Sequence, residues 1–187
     1  MVYVFLADGF EEIEAVAPID ILRRAGLDVV TVKAGKGEKT AVGAHGIEIA
    51  ADMHEDEIDA ADSGNLEMVV LPGGGTGVDN LHGSKRVKEI IARCAEAKIR
   101  IGAICAAPSI LARMGLLKNI RAVSYPAFRH YLVRGGAVLE QTSGVVTDGI
   151  FTTAAAAGAS VEFGLELAGL LKGGAEARKI GEQILFY

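Results

Sequence analysis

Tryptophan is missing from this 187-residue chain, and aromatic residues amount to only 5% of it. Packing therefore falls to aliphatic side chains and to close backbone approaches at the 24 glycines. The two cysteines, Cys94 and Cys105, are too few for a disulfide framework and suit a reducing, cytoplasmic setting. With a net charge of −5 and no run of Lys or Arg, nucleic acid and anionic membrane are not expected partners. The N-terminus begins directly with the strand-like run Val2–Ala7 and lacks the basic start of a signal peptide. Ala154–Leu171, the longest apolar stretch, carries Glu162 and Glu166, so no membrane span is expected. His45, His54, His82 and His130 share no ligand spacing, and neither nucleotide-binding glycine motif is matched. The expectation is a site without metal or cofactor.

What is present is a regular alternation. Half of the residues are hydrophobic and the mean hydropathy is +0.32, which suits a sheet covered on both faces. Short β-branched runs read as strands at Val2–Ala7, Asp28–Lys33, Met68–Leu71, Arg100–Ile104, Arg121–Ser124 and Ile150–Thr153. Helical patterns separate them at Ile13–Ala25, closed by Gly26, and at Ser84–Lys98, where Val87, Ile90, Ile91 and Cys94 keep one face. A helix following Cys105 and running to about Met114, and two more at Gly158–Leu171 and Ala175–Leu185, complete the pattern. Gly35–Asp52 reads as an added hairpin, and Val145–Phe151 as a second one turning at Asp148-Gly149. With no repeat and no linker, the reading is one α/β domain around a mainly parallel sheet, doubly wound with helices on both faces.

In such a sheet ligands sit beyond the carboxyl ends of the strands. Three loops meet there: Asp8–Glu14, Pro72–Gly77 and Cys105–Pro108. Cys105 is pinched between a buried strand and a helix whose first turn suits Pro108, so its sulfur faces a positive helix end that favours thiolate. By position alone a small inert core thiol is an equal alternative. Cys94, on an apolar helix stripe, reads as core. Gly74 and Ala106 offer backbone N–H groups to an oxyanion. Glu11 and Glu12 read as acids complementing the dipole of the first helix. Glu14, set among Ile13, Ala15, Val16 and Ala17 with Pro18 four residues on, reads as a carboxyl with a raised pKa able to donate a hydrogen bond to a thiolate. Asp20 and Arg24 read as an ordinary i, i+4 pair.

Four blocks resemble the ThiJ/PfpI family, in particular the branch of the parkinsonism-linked redox protein and its bacterial relatives. They are Ala7-Asp8-Gly9-Phe10-Glu11-Glu12-Ile13-Glu14, Pro18-Ile19-Asp20 with Arg23-Arg24-Ala25-Gly26, Val69-Val70-Leu71-Pro72-Gly73-Gly74, and Ala103-Ile104-Cys105-Ala106-Ala107-Pro108. The resemblance implies a flavodoxin-like fold and a homodimer. It implies a reactive Cys105 that oxidises to a sulfinate, a protonated Glu14 hydrogen-bonded to it, and donors at Gly74 and Ala106. Three departures stand out. Tyr125 occupies the place of a frequent family histidine, which leaves His130 as a candidate substitute base. Ala106 stands where the protease branch has histidine, which argues against peptidase activity. Ala155-Ala156-Ala157-Gly158 replaces an Arg-Gly-Pro-Gly type loop, and His45 replaces a hairpin arginine.

Two functions follow as expectations. One is cofactor-independent glyoxalase or deglycase chemistry on a small aldehyde or glycated substrate, with Cys105 as nucleophile and Glu14 moving the proton. The other is a peroxide sensor or redox-regulated chaperone in the oxidative stress response, acting through Cys105 sulfinate.

Overall fold

The structure, a computed structural model, describes residues 1–58 and 65–187. Along the chain come β1 (Val2–Leu6), α1 (Glu12–Arg24), β2 (Val29–Lys33), β3 (Thr40–Val42), β4 (Glu48–Ala50), β5 (Met53–His54), β6 (Met68–Leu71), α2 (Gly75–Gly83) and α3 (Lys85–Glu96). There follow β7 (Arg100–Ile104), α4 (Pro108–Arg113), β8 (Arg121–Ala122), α5 (Arg129–Arg134), β9 (Val138–Leu139), β10 (Val145–Asp148), β11 (Phe151–Ala154), α6 (Ser160–Lys172) and α7 (Gly174–Gln183). The main sheet has seven strands in the order β10-β11-β7-β6-β1-β2-β5. All neighbours are parallel except the β10–β11 hairpin. This is the flavodoxin-like order, in which the chain reverses direction across the sheet at β1 and β6 and opens a crevice between them.

Alternation along β1 shows why both faces are buried. Tyr3 and Phe5 join one core with Val69, Leu71, Ile101 and Ala103, under Val78 and Leu81 of α2, Val87, Ile91 and Cys94 of α3, and Ile110 and Leu111 of α4. Val2, Val4 and Leu6 join the other with Met68, Val70 and Ile104, under Ala15, Ile19 and Leu22 of α1 and Phe163, Leu167 and Ala168 of α6. Gly102 lets α6 lie close on β7: a side chain there would meet Phe163 at 3.0 Å and Leu167 at 3.2 Å. The anticipated signals hold at α3, where the Ser84 side chain accepts from Val87 N–H, and at Gly26, which follows α1 with φ +67°. The β3–β4 hairpin pairs Ala41 with Ile49 as a separate two-stranded sheet.

The structure corrects two expectations. The run at Arg121–Ser124 is not a strand of the main sheet: β8 pairs only with β9, because the β10–β11 hairpin already occupies the far side of β11. The Pro72–Gly77 segment is not loop throughout, since α2 starts at Gly75. Its glycines serve close approach to the loop after β1, where a side chain at Gly77 would lie 2.7 Å from Phe10 Cα. The helix after Cys105 starts at Pro108, as anticipated, and has six residues.

Candidate active site

Parallel register delivers three strand ends side by side, and the loop after each contributes one part of the site. Cys105 leaves β7 with φ +63°, a left-handed conformation that costs a residue with a Cβ roughly 1–2 kcal/mol. Three hydrogen bonds over-determine it. Cys105 N–H donates to Ala154 O of β11 at 2.8 Å, Tyr125 N–H donates to Cys105 O at 2.8 Å, and Ala107 N–H closes a turn on Ile104 O at 3.0 Å. The sharp strand-to-helix turn anticipated from sequence is therefore present, and it pushes the half-buried thiol out of the strand line.

Glu14, in the first turn of α1, is 1% exposed. Its Oε2 accepts from Gly73 N–H at 2.9 Å, and its carboxyl is hydrogen-bonded to the Cys105 thiol. Gly73 is the floor between them: a Cβ there would lie 2.3 Å from Glu14 Oε2 and 2.7 Å from Cys105 Cβ. Gly74, at φ +89°, presses on Gly9 O and Glu11 N, so it too admits no side chain. Backbone N–H groups of Ala106 and Gly74 donate to the Cys105 sulfur.

Burial pushes the Glu14 carboxyl up to about 7, partly opposed by hydrogen bonds from Cys105 and Gly73 and reinforced by the nearby Glu11 carboxylate. Cys105 corrects the expectation of an acidic thiol. Burial, then the charge and hydrogen bond of an ionised Glu14, push it up to about 12 against the pull of Ala106 and Gly74. The short α4, three residues away, does not offset these effects. Two of the upward causes exist only while Glu14 is ionised. The two groups therefore titrate as a coupled pair, and neutralising Glu14 favours the thiolate.

Of the other anticipated residues, Tyr125 anchors the turn through its N–H while its side chain is 45% exposed. The exposed His130 rests its Nδ1 2.9 Å from Ala127 O of its own turn and lies tilted against the Tyr131 ring. His45 sits on the β3–β4 hairpin, its Nδ1 2.9 Å from Glu12 Oε2 and 3.6 Å from Glu11 Oε2. This revises Glu12, which is 6% exposed and does not simply complement the helix dipole. It accepts from the backbone N–H of His45 at 2.7 Å and of Ile47 at 3.4 Å, clamping the hairpin onto α1. Burial works to raise the Glu12 pKa, but the His45 side chain and these N–H groups hold it below the usual carboxylate range. Gly43 makes room, since a Cβ there would meet Glu12 Oε1 at 2.3 Å. The clamp escaped sequence reading because hairpin and helix are more than thirty residues apart. Among the described residues it also forms the one grouping with ligand atoms close enough for a metal, Glu11, Glu12 and His45 within 4.8 Å. Cys94 is 2% exposed core, as expected, and Asp20 pairs with Arg24 at 2.6 Å. No helix of the described residues is long and apolar enough to cross a membrane.

Comparison with known proteins agrees with this geometry. The chain is 34% identical over 89% of its length to Protein DJ-1 homolog B of Arabidopsis thaliana, spanning 36% of that longer protein. It is 30% identical over 89% of its length to the Glutathione-independent glyoxalase DJ-1 of Schizosaccharomyces pombe, covering 88% of it. The crystal structure of Drosophila melanogaster DJ-1beta superposes with a TM-score of 0.91 at 30% identity, covering 98% of this chain and 96% of that one. The model of the DJ-1/PfpI family matches residues 1–170, and with its parallel sheet and the turn at Cys105 the chain belongs to that family.

Proposed function

We propose that the protein converts small α-oxoaldehydes such as methylglyoxal to 2-hydroxy acids, with Cys105 as nucleophile and Glu14 as the proton carrier. The observation that carries this reading is a 1% exposed carboxyl set against a half-buried thiol over a glycine floor, its pKa raised by burial to about 7. Kinship to a glyoxalase of Schizosaccharomyces pombe supports it.

The chemistry balances with water as the only co-reactant. The thiol proton passes to Glu14, and the thiolate adds to the aldehyde carbon. A C–S bond forms, the carbonyl π pair moves to oxygen, and that oxygen takes the proton from Glu14. The Glu14 carboxylate then removes the hydrogen on the same carbon as a proton, leaving an enediolate whose oxygen is met by the N–H groups of Gly74 and Ala106. The first carbon's hydroxyl proton passes to the second oxygen, and Glu14 returns its proton to the second carbon. The product is a thioester isomeric with the hemithioacetal. Water gives one proton to the Glu14 carboxylate as it attacks that thioester, the C–S bond breaks, and the leaving thiolate takes that proton back to restore the thiol. Overall, methylglyoxal and water give lactate and one proton. Turnover needs no proton relay beyond Glu14, which accommodates Tyr125 in place of a histidine.

The test is lactate formation by purified protein treated with chelator. Wild type should turn over, Cys105→Ala should not, and Glu14→Gln should lose at least two to three decades. Equal rates in wild type and Cys105→Ala end this reading. Deglycation of a hemithioacetal or aminocarbinol would use the same pair.

A second reading, a peroxide sensor or redox-regulated chaperone, is favoured by one feature. The sulfur is reachable, and a sulfinate would meet Gly74 N–H, Ala106 N–H and neutral Glu14. The same proposal places the protein in the cytoplasm as a homodimer of single-domain subunits. A monomeric mass by light scattering would remove that part alone.

A further inference from the structure

The charged groups around the reactive pair are carboxylates, and their arrangement bears on which carbonyls can enter. Glu11 lies directly on the glycine floor: its N–H donates to Gly73 O at 3.1 Å, and a Cβ on Gly74 would lie 2.8 Å from its backbone nitrogen. The other side of the same dipeptide carries Glu14 and Cys105. The Glu11 backbone and the Cys105 side chain therefore flank the same Gly73, and the Glu11 carboxylate acts electrostatically on the Glu14 of the reactive pair. The Glu11 side chain is 19% exposed, so its charge is only partly screened. Glu12 adds a second carboxylate, buried beside it.

Cations nearby are tied to other tasks. Among the described residues His45 is the cation facing these two acids, 70% exposed, and it bonds Glu12 first and lies 3.6 Å from Glu11. Glu12 and then Glu11 hold its pKa above the ordinary histidine value. It offsets one of the two charges when protonated and neither when neutral. Lys33, 3% exposed at the end of β2, faces Asp8 at 3.4 Å and Ala34 O at 2.8 Å, and so neutralises Asp8 in the same loop. The sulfur itself meets the neutral N–H donors of Gly74 and Ala106.

We infer that Glu11 is a specificity-determining residue whose carboxylate makes the Cys105 site select uncharged or cationic carbonyl compounds and reject those that carry a carboxylate. Glyoxal, methylglyoxal and aldehydes on an ammonium- or guanidinium-bearing chain fall in the accepted class, and glyoxylate falls in the rejected one. The inference deepens the proposed function, yet it concerns the field at the sulfur and can be read without turnover.

The experiment is alkylation of the whole protein by iodoacetamide and by iodoacetate at about pH 8.5, where free histidine is neutral. Peptide mass spectrometry assigns the label to Cys105, and glutathione provides the intrinsic ratio of the two reagents. The neutral-over-anionic preference at Cys105 should exceed that of glutathione by about tenfold, the size of a unit charge acting through partly screened surroundings. Glu11→Gln should bring the preference to within about threefold of glutathione, and Glu11→Asp should restore most of it. Changes in the ionisation of the Cys105–Glu14 pair cancel in the ratio, and so does general loosening of the fold. A ratio equal to that of glutathione in wild type, or one unchanged by Glu11→Gln, overturns the inference. Turnover of methylglyoxal without charge selection would sink this inference and leave the enzymatic reading standing. Selection without turnover would do the reverse.

Discussion

Removing the charge of Glu14 should flatten the pH dependence of stability in one window and in one direction. In the folded chain burial raises this carboxyl from 4.5 to about 7. A group that binds its proton more tightly when folded stabilises the fold below its unfolded value, and that contribution is lost as pH rises through the folded value. Each pH unit between the two values is worth about 1.4 kcal/mol, so the loss between about pH 4.5 and pH 7 approaches 3 kcal/mol. Glu12 and Asp52, both held below their ordinary values, act in the opposite sense at lower pH. The comparison must therefore be between Glu14→Gln and wild type at each pH, not along the wild-type curve alone. Glu14→Gln keeps the shape and the bond from Gly73 N–H to a carbonyl oxygen. Urea unfolding from pH 4.5 to 7.5 should show the variant gaining on wild type by about 3 kcal/mol across that window. If the difference between the two proteins is flat, Glu14 is already ionised in the fold at pH 5, and burial does not raise this carboxyl as the reasoning requires.

Other perturbations probe the walls of the site. Gly73→Ala places a methyl 2.3 Å from Glu14 Oε2 and 2.7 Å from Cys105 Cβ. Separating that pair by about 1 Å should lower methylglyoxal turnover about a hundredfold, while Gly75→Ala, which opens onto free space, should leave it unchanged. Glu12→Ala removes the clamp on the β3–β4 hairpin and should cost about 2–3 kcal/mol by chemical denaturation, with Glu12→Gln recovering part of it. Mild peroxide followed by peptide mass spectrometry should add two oxygens to Cys105 and none to Cys94, which burial pushes up to about 11. Oxidation of Cys94 first would contradict the accessibility on which the sensor reading rests.

Much of this molecule follows from the chain order of residue types alone. The alternation of Tyr3 and Phe5 against Val2, Val4 and Leu6, the stripe Val87-Ile90-Ile91-Cys94, the stop at Gly26 and the Asp148-Gly149 turn act over a few residues, and local sterics and amphipathicity decide them. The approach of the three loops follows too, since parallel strands carry their carboxyl ends to one edge. Tertiary structure decided the rest. Whether Arg121–Ser124 could join the sheet depended on which strand had already taken the edge of β11. Glu12 turned out to serve the hairpin because Gly43, thirty-one positions on, leaves room for its carboxylate. The ionisation of Cys105 was the sharpest case. A strand-to-helix turn suggests an acidic thiol, but burial and a neighbouring carboxylate outweigh the backbone donors. Burial and charge separation are sums over every element packed around an atom, and only the folded chain sets their balance.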